Sequence, residues 1–321
     1  MKKILVLGGR GFLGQHLCEA LNRAQFLVTV PSRKPQARSV QTLPFVSVVQ
    51  ADIQDQNSLE DLIAKHDVVI NLAAILHGSA LEFEALHVQL PQVLATLCAK
   101  HRISQVLHVS ALGVKSGVAA PSLYLRSKAR GEQALIRTLD QTSTQLSIFR
   151  PSVIFGADDR FINVFVKLLA LTPVMPLGSA ASQFQPVWVQ DVVSAMMNTL
   201  LPPEVGEEGS VSNPWARKRS IGPKTHQIFE LGGPDVLSLK ALVQVAAAHA
   251  GYKRVVIELP QWVAWLQALL LELMTGEPVM SRDNVASMKV PNVCSGEFPG
   301  LLACGVSSPK RIQSVFPPAK P

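Results

Sequence analysis

Short runs of apolar residues along the chain alternate with longer segments in which apolar residues recur at helical spacing. The short runs predict strands at Lys3–Leu7, Phe26–Val30, Val46–Gln50, Val68–Leu72, Gln105–Val109 and Leu146–Phe149. The helical spacing predicts helices at Phe12–Ala24, Asn57–Lys65, Ala80–His101 and Tyr124–Leu139. Strands that are apolar throughout are buried on both faces, so we expect an α/β fold with a doubly wound parallel sheet.

The alternation becomes less regular after Arg150, where prolines are more frequent. The pattern predicts a helix over Phe161–Leu171 and another over Val192–Leu200, with Asp191 as its N-cap. Further along, it predicts a strand at Gln227–Leu231, a helix from Ser238 to Ala250 that ends at Gly251, a strand at Val255–Leu259 and an apolar helix at Trp262–Met274. Residues 202–226 contain prolines, glycines, glutamates and a basic cluster, and we expect them to form an exposed insertion.

Composition narrows the classes of protein to which the chain can belong. Of its 321 residues, 48% are hydrophobic and only 17% are charged, which is typical of a folded chain. The Trp262–Met274 run is too short to span a bilayer, and the apolar run after Met1 is too short for a secretory signal. The four cysteines show no CxxC spacing and no histidine partners, so we expect reduced thiols and no metal site.

The formal net charge is +7, but the basic residues are dispersed along the chain. Because no basic helix and no basic patch with interleaved aromatic residues is present, the sequence does not favour nucleic acid as a partner. An anionic cofactor or substrate accounts for part of the excess, and an anionic membrane surface is a second explanation. We expect a cytoplasmic protein, with attachment to the inner face of the membrane as the alternative.

A glycine-rich segment, Gly8-Gly9-Arg10-Gly11-Phe12-Leu13-Gly14, stands directly between the first predicted strand and the first helix. Gly8 and Gly11 allow backbone angles and a close approach that a Cβ would block, and Gly14 lets the helix pack on the strand. The first N–H groups of the helix and its dipole then face a phosphate. This placement indicates a site for the pyrophosphate of a dinucleotide, whereas the glycine spacing alone would equally fit a tight turn.

The end of the second strand bears on which dinucleotide is bound. Sites that prefer NAD place an acidic side chain there, against the ribose 2′-hydroxyl, but this chain has no Asp or Glu between Glu19 and Asp52. It has Ser32-Arg33-Lys34 instead, and an Arg side chain binds a 2′-phosphate through two hydrogen bonds. Arg10 is placed to reach the same phosphate. NADP(H) is therefore the preferred cofactor and NAD(H) is the alternative, unless the two turn cations are simply solvated.

Tyr124 and Lys128 are four residues apart in the helix that follows the fifth strand, so they share one face of it. A phenol has a pKa of about 10 and is a poor acid–base catalyst near neutral pH unless its anion is stabilised. A neighbouring ammonium group, and the positive ring of an oxidised nicotinamide, would lower that pKa. The two residues form the candidate catalytic pair, although the same spacing also occurs on exposed helices without function.

Together these motifs resemble the short-chain dehydrogenase/reductase superfamily in its extended or atypical branch. The resemblance rests on the glycine loop, Asp52, Asn71-Leu72-Ala73-Ala74, Ser110, Tyr124 with Lys128, and Arg150–Gly156. Other segments resemble the bacterial relatives of the NADPH-binding accessory subunit of respiratory complex I, namely His108–Gly113, Phe184–Val187, Glu230–Pro234, Leu266–Leu273 and Ser281–Val285.

The resemblance implies a Rossmann-type dinucleotide-binding domain at residues 1–155, with returns near 186–200 and 227–233. A small C-terminal cap for the substrate, residues 156–321, would contain the 202–226 insertion. Within the first domain, the resemblance implies that the glycines hold the pyrophosphate and that Tyr124 and Lys128 flank the nicotinamide. The other implied cofactor contacts are Asp52 at the adenine, Ala73 and Ala74 at the ribose, Pro151 and Val153 beside the carboxamide, and Ile53, Leu72 and Val109.

One position departs from the pattern of the extended branch. There the catalytic serine is the third residue of a serine run that ends the fifth strand, but here the run is Ser110-Ala111-Leu112. The expected hydroxyl position therefore falls on Leu112. Ser110 stays a candidate catalytic residue, and a strand-end serine bonded to the backbone is the equal alternative. The loss of one hydrogen bond to a substrate oxygen can raise the barrier by several kcal/mol.

The residues favour an oxidoreductase or epimerase-like enzyme that uses NAD(P)H and the Tyr/Lys pair on a small or lipid-like carbonyl or alcohol. The alternative is a non-catalytic, cofactor-bound accessory or assembly protein that docks on a respiratory complex or a membrane surface. Leu112 and the accessory-subunit resemblance favour this alternative. A sensor of the NADPH/NADP ratio is a third hypothesis.

Overall fold

The predicted alternation of strands and helices is present in the structure, a computed structural model that describes residues 1–34, 40, 42–200, 226–272 and 280–319. Its elements are β1 (Lys3–Leu7), α1 (Phe12–Arg23), β2 (Leu27–Ser32), β3 (Val46–Gln50), α2 (Gln56–Ile63), β4 (Val68–Asn71), α3 (Ala80–Glu84), α4 (Leu90–Lys100), β5 (Gln105–Val109), α5 (Leu123–Leu139), β6 (Gln145–Pro151), β7 (Ile154–Phe155), α6 (Phe161–Leu171), β8 (Val174–Gly178), β9 (Gln183–Phe184), β10 (Val187–Trp188), α7 (Val189–Leu200), β11 (His226–Leu231), β12 (Leu237–Ser238), α8 (Leu239–His249), β13 (Val255–Leu259), α9 (Gln261–Glu272), α10 (Arg282–Ser287) and α11 (Ile312–Val315).

Seven strands form one sheet in the order β11-β6-β5-β4-β1-β2-β3, and every pair in it is parallel. This confirms the predicted doubly wound sheet. The strand order reverses between β1 and β4, where Leu7 lies opposite Asn71. In such sheets a ligand binds in the crevice beyond the carboxyl ends of the strands at the reversal.

Helices cover both faces of this sheet, as the continuous apolar strands predict. On one face, Leu17 of α1 and Met196 of α7 are buried in one core. On the other face, Leu59 of α2, Leu94 of α4 and Leu135 of α5 are buried in a second core. Apolar side chains of the helices thus pack against both faces of the sheet and hold its strands in place.

A third core lies in the C-terminal part of the chain. It joins Leu169 of α6, Leu177 of β8 and Leu242 of α8. The last described residues return to it, because Ile312 and Phe316 are buried there. This part also contains a two-stranded parallel pair, β8 with β13.

The predicted helix at Ala80–His101 is wrong in one respect, because three helical pieces replace it. Between α3 and α4, residues Ala85–Gln89 form a turn of π-helix. Pro91 explains the break: it has no N–H, so it cannot donate to the His87 carbonyl four residues earlier. That carbonyl instead points at α5, where a Cβ at Gly131 would overlap it. A π-turn of this kind is often found at functional sites.

The predicted N-cap at Asp191 is also wrong. Helix α7 begins at Val189, directly after β10, so Asp191 lies inside its first turn. Its carboxylate accepts the backbone N–H of Lys310 (2.8 Å) and ties the C-terminal segment to the helix.

Two sequence predictions fall partly outside the described ranges. Residues 202–225 of the predicted insertion lie there, and the remaining residue, His226, begins β11. The predicted helix at Trp262–Met274 is described as far as Glu272. Among the helices of the described ranges, none combines the length and the apolar character that crossing a membrane requires.

Candidate functional site

The parallel sheet brings the predicted site residues to one edge. Each predicted segment follows the carboxyl end of a strand: residues 8–14 after β1, 32–34 at β2, 52–53 after β3, 72–74 after β4, 109–110 at β5 and 151–153 at β6. Tyr124 and Lys128 come from α5, which follows β5. Sequence segments that are up to 140 residues apart therefore meet around one crevice.

The glycine loop makes a tight turn that only glycine permits. Gly8 has a φ of +78°, and a Cβ there would lie 2.9 Å from the backbone nitrogen of Ala73. The N–H of Gly11 donates to the Gly8 carbonyl (3.0 Å) and closes the turn. A Cβ at Gly14 would lie 2.6 Å from the Gly9 carbonyl carbon. Helix α1 can therefore start directly at the loop.

The start of α1 differs from the starts of several other helices in the described part of the chain. A side chain caps α2 (Asp55), α5 (Ser122) and α8 (Ser238), each accepting a hydrogen bond from the first turn. At α1 the N-cap is Gly11, no side chain caps the helix, and the first turn contains no acidic residue. Its first N–H groups and the positive end of its dipole thus remain available for an anion.

Arg10 connects the glycine loop to the end of β2. One of its terminal nitrogens donates to the Ser32 hydroxyl (2.6 Å), and it also donates to the Lys34 carbonyl. The Arg10 Nε is buried and has no hydrogen-bond partner among the described residues. Arg33 and Lys34 are exposed next to it. The two segments that the sequence singled out for the adenosine ribose thus form one cationic cluster.

The segments after β3 and β4 make mostly local contacts. The Asp52 side chain accepts the N–H of Gln54 (3.0 Å), while the actual cap of α2 is Asp55. After β4, the Asn71 side chain accepts the N–H of Ala73 (3.1 Å) and holds the turn in which Ala74 is exposed. Both segments lie at the carboxyl edge of the sheet.

Ser122 caps α5 by accepting the N–H of Leu125 (3.1 Å). This cap fixes the start of the helix that carries Tyr124 and Lys128 on one face. The Lys128 side chain is fully buried, and its Nζ donates to the Val109 carbonyl (2.7 Å) at the end of β5. Burial lowers the pKa of Lys128 to about 8, although the nearby carboxylate of Glu132 opposes this shift. The ammonium form therefore still predominates at neutral pH.

Tyr124 behaves differently from the expectation that Lys128 would lower its pKa. Burial raises the pKa of Tyr124 to about 12. Desolvation of the phenolate causes this rise, so the protein without a bound cofactor does not show the expected lowering. The phenol consequently holds its proton throughout the neutral range.

Ser110 and Leu112 follow the end of β5, and the sequence left open which of these positions corresponds to the catalytic serine. Ser110 is buried, and its Oγ has no hydrogen-bond partner among the described residues, so it is not the backbone-bonded serine offered as the alternative. Leu112 is buried as well, and its N–H donates to the Pro151 carbonyl (3.1 Å).

His87 is the contact of Tyr124 that the sequence reasoning did not assign. Its ring lies edge-on to the Tyr124 ring, with 5.5 Å between centroids, and it is buried. Its Nε2 accepts the N–H of Ile75 (3.1 Å), so Nδ1 carries the proton and donates to the Ser127 hydroxyl (2.9 Å). That hydroxyl in turn donates to the Tyr124 carbonyl (2.9 Å). His87 thus links the loop after β4 to the tyrosine turn of α5.

Burial lowers the pKa of His87 to about 3, and the charge of Lys128 adds to the effect. The imidazole is therefore neutral at physiological pH, in keeping with the single tautomer that its two hydrogen bonds require. Pro91, four positions after His87, was the sequence signal that could have revealed this residue, because it opens the helix at the His87 carbonyl.

The loop after β6 is fixed by the C-terminal segment. The Asn292 side chain accepts hydrogen bonds from the Ser152 hydroxyl (2.6 Å) and from the Val153 N–H (3.1 Å). The Val153 carbonyl accepts the N–H of Val187 (3.0 Å). Both backbone groups of Val153 are therefore engaged, and only its side chain is free to contact a cofactor.

The cap closes the other side of the tyrosine. The Asp283 carboxylate accepts the backbone N–H groups of Leu123 (2.6 Å) and Tyr124 (3.0 Å). A cavity of about 410 Å³ lies beside this contact. It is lined by His77, Gly78, Leu123, Glu272, Ser281, Arg282, Asp283 and Ala286. The uncapped start of α1 and the Tyr124/Lys128 pair of α5 thus lie at the same edge of the sheet.

Two groups of known proteins illustrate what the chain is similar to. NADH dehydrogenase [ubiquinone] 1 alpha subcomplex subunit 9, mitochondrial, of Arabidopsis thaliana is 31% identical over 250 residues, which are 75% of this chain and 56% of that relative. The protein of the same name from Rattus norvegicus is 28% identical over 320 residues, or 97% of this chain and 78% of the relative. The chain thus spans little more than half the length of the Arabidopsis protein.

The second group consists of solved enzyme structures. The dTDP-glucose 4,6-dehydratase DesIV of Streptomyces venezuelae, determined with NAD and TYD bound, matches with a TM-score of 0.64 at 21% identity. The match covers 80% of this chain and 84% of that one, and it supports the fold alone. At the level of sequence, residues 4–213 match the NAD dependent epimerase/dehydratase family. Because this match covers more than half of the chain, the protein belongs to that family, in the extended branch of the short-chain dehydrogenase/reductase superfamily.

Proposed function

We propose that the chain is an NADP(H)-dependent oxidoreductase in which residues 1–155 bind the cofactor and residues 156–321 shape the substrate site. The observation that carries the proposal is the cluster of Arg10, Ser32 and Lys34, in a chain with no carboxylate between Glu19 and Asp52. An arginine already held at the end of β2 suits a 2′-phosphate, whereas a 2′-hydroxyl would find no acidic acceptor there.

The residues present fit such a cofactor. The uncapped start of α1 supplies N–H donors for a pyrophosphate, and Gly8 and Gly14 leave no Cβ in the way. The buried Arg10 Nε and Ser110 Oγ both lack a protein partner among the described residues. The proposed contacts are Gly8, Gly9, Arg10, Gly11, Phe12, Leu13, Gly14, Ser32, Arg33, Lys34, Asp52, Ile53, Leu72, Ala73, Ala74, Val109, Tyr124, Lys128, Pro151 and Val153.

When bound, a nicotinamide supplies or accepts a hydride at its C4 atom. In the reducing direction, Tyr124 gives its phenolic proton to the carbonyl oxygen of the substrate, which completes the alcohol. Because the pKa of Tyr124 is raised to about 12, the phenol is protonated at neutral pH and can donate this proton. Lys128, still charged at neutral pH, stabilises the phenolate that forms, and the Ser110 hydroxyl is a candidate donor to the substrate oxygen.

In the oxidising direction Tyr124 must first lose its proton, which its burial opposes. A bound oxidised nicotinamide would supply positive charge, which favours the phenolate. Tyr124 would then act as the base in the oxidising direction and as the acid in the reducing direction.

Equilibrium binding of NADPH and NADH, measured by the fluorescence of the reduced nicotinamide, tests the proposal. We expect NADPH to bind more tightly, and Arg10→Ala to weaken NADPH binding by about tenfold or more, because a charge-assisted hydrogen bond is lost. NADH binding should change much less. Arg23→Ala, at the exposed C-terminal end of α1, is the matched control and should leave both affinities unchanged. Tighter binding of NADH by the wild-type chain would refute the preference.

A second candidate function is that of a cofactor-bound accessory or assembly protein on a respiratory complex. The relatives named as complex I subunits favour it, and so does Leu112 at the predicted hydroxyl position. Native electrophoresis of membranes separates the two functions. A chain that migrates with a large complex, and keeps doing so after Tyr124→Phe, supports the accessory role. A free chain whose turnover of a carbonyl substrate is lost with Tyr124→Phe supports the oxidoreductase, whose expected location is the cytoplasm.

A further inference from the structure

Helix α9 of the cap carries an exposed apolar face. Trp262 is 71% exposed, Trp265 is 47% exposed and Leu266 is 45% exposed. Their spacing of three and four residues places them on one side of the helix. Ala268 is buried in a small core with Val285 of α10, so α9 is held to the cap while the two tryptophans face outward.

The strand pair that precedes α9 is apolar on its outer face as well. Val174 lies opposite Val255, and Pro176 lies opposite Ile257, and all four side chains are exposed. The alternate residue Met175 is buried in the third core. Strand β13 leads into α9 through a single residue, so the outer face of the strand pair and the tryptophan helix follow each other directly along the chain.

This surface reaches the candidate catalytic site through Arg282. Its guanidinium lies over the Trp265 ring, 5.5 Å from the centroid, and its Nε donates to Glu272 (2.7 Å). Arg282 and Glu272 both line the cavity next to Tyr124, whose neighbour Leu123 lines it from α5. Leu123, which lines the cavity from α5, is exposed, and so is Leu76, whose carbonyl accepts a hydrogen bond from the Asn284 side chain of α10. Exposed large apolar side chains thus occur on α5 and in the loop after β4 as well as on α9.

The charges near this surface are asymmetric. Each acid described on β13, α9 and α10 is already engaged: Glu258 with Lys240, Glu272 with Arg282, and Asp283 with the backbone of α5. Lys167 of α6 and Lys253, just before β13, are exposed, and no acid lies among their described contacts. Among the described residues of α6, β13, α9 and α10, the exposed charge without a described opposite partner is therefore positive.

We propose that this face, formed by Val174, Pro176, Val255, Ile257, Trp262, Trp265 and Leu266, binds the surface of an anionic lipid bilayer. Exposed tryptophans prefer the interface between lipid and water, and nearby lysines are attracted to anionic headgroups. A protein partner would equally bury the apolar side chains, but it would not in itself require the excess of positive charge. The bilayer therefore accounts for both observations together.

The position of the apolar face next to the cavity also indicates a class of substrate. This step rests on the proposed function. Among the described residues that line the cavity, Arg282 is already paired with Glu272, and Asp283 is bonded to the backbone of α5, so a diphosphate would compete with these contacts. An uncharged head group with an apolar tail fits such a lining better. The substrate that reaches Tyr124 is accordingly a carbonyl or alcohol dissolved in the bilayer.

Flotation with phosphatidylcholine vesicles containing one-fifth phosphatidylglycerol tests the surface directly, with no cofactor added. We expect the wild-type chain to float with the vesicles and to be released as salt is raised, because salt screens the lysines. The double change Trp262→Ser with Trp265→Ser should weaken partitioning by about tenfold. Lipids brominated in their chains should quench the tryptophan fluorescence of the wild-type chain.

Leu302→Ser is the matched control, since Leu302 is 69% exposed but lies outside this face. It should leave partitioning unchanged. A wild-type chain that does not float in low salt overturns the proposal. So does equal loss of partitioning in the control and the double variant. Sedimentation that shows self-association abolished by the tryptophan changes, without vesicle binding, would assign the face to a second copy of the chain and overturn the bilayer.

The substrate step is tested separately, with NADPH bound. Oxidation of NADPH by a long-chain aldehyde presented in these vesicles, reduced in the tryptophan double variant, supports it. Turnover of a nucleotide sugar in solution that is unaffected by the double variant overturns it. Because NADPH binding is measured independently, failure of the cofactor proposal and failure of the surface proposal give different results.

Discussion

The two ends of the crevice handle polar groups in opposite ways. At the α1 end, the first N–H groups of the helix and the Arg10 Nε have no side-chain acceptor among the described residues. At the α5 end, Lys128 and His87 are buried and hydrogen-bonded within the protein. Unpaired donors bind a permanent anion strongly, whereas buried and paired groups have shifted pKa values. The first end is thus suited to holding a ligand and the second to controlling a proton.

The two ends also originate differently in the sequence. The α1 end comes from one contiguous loop and the end of the next strand. The α5 end needs the loop after β4 through Ile75, the π-turn through His87, and the cap through Asp283. A change at the first end should therefore act locally and severely, while a change at the second should have graded effects on energy and ionisation.

The largest effect is expected for Gly14→Val. Its side chain would overlap the backbone of Gly8 and Gly9, which no side-chain rotation can relieve. We expect loss of NADPH binding by more than about a hundredfold, or failure to fold, because core overpacking and backbone displacement combine. Fluorescence titration and circular dichroism measure the two outcomes. Gly300→Ala, whose added Cβ meets a single backbone oxygen at 3.3 Å, should disturb the fold far less than Gly14→Val and should leave NADPH binding unchanged. Normal binding by the valine variant would show that the α1 end is not rigid.

An intermediate effect, on the free energy of unfolding, is expected at His87. Two substitutions, to leucine and to glutamine, test it. Leucine leaves the Ile75 N–H without an acceptor and removes the donor to the Ser127 hydroxyl, which should lower the free energy of unfolding by about 1–3 kcal/mol. Glutamine keeps one acceptor and one donor and should restore most of this loss. Urea unfolding at neutral pH provides the measurement.

The same two variants make a prediction about pH. The pKa of His87 is about 3 in the folded chain and about 6.5 when unfolded, so the unfolded chain binds more protons between these values. The stability contributed by neutral His87 is therefore present above pH of about 6.5 and is lost as the pH falls toward 3. Stability of the wild-type chain should fall more steeply with acid than that of His87→Gln. Equal slopes would mean that His87 ionises in the folded protein.

The smallest effect concerns the Tyr124/Lys128 pair. The chain has two tyrosines, so Tyr252→Phe leaves Tyr124 as the one phenol that titrates. Because Lys128 loses its charge at a pH of about 8, it is neutral when the phenol ionises at about 12. Lys128→Met should therefore leave the pKa of Tyr124 nearly unchanged. Lys128→Arg keeps a positive charge and should lower it by about one unit or more.

Ultraviolet absorbance of the phenolate measures this pKa, and circular dichroism confirms that each variant is folded. A large rise of the Tyr124 pKa in Lys128→Met would contradict the assignment, since it would mean that the lysine is still charged above its expected pKa.

The sequence predicted the α1 end of the crevice better than the α5 end. The sheet was predictable because its strands are apolar throughout, and Gly8–Gly14 was predictable because its spacing is local. His87 was not, because its role depends on a helix irregularity set by Pro91 and on a serine forty residues away. The ionisation of Tyr124 depends on burial, and a four-residue spacing says nothing of burial. Asp191 was misassigned because its partner, Lys310, is more than a hundred residues distant.

Asn292 has a consequence for how the chain can be divided. It lies near the end of the sequence, yet its side chain fastens Ser152 and Val153 beside the sheet edge. A fragment that stops at the last strand of the large sheet would retain the glycine loop. It would lose Asn292, so the loop of Ser152 and Val153 would no longer be anchored. Truncation before Asn292 should therefore separate the glycine loop from a fixed Ser152–Val153 loop, and any engineered split or fusion must keep Asn292 attached.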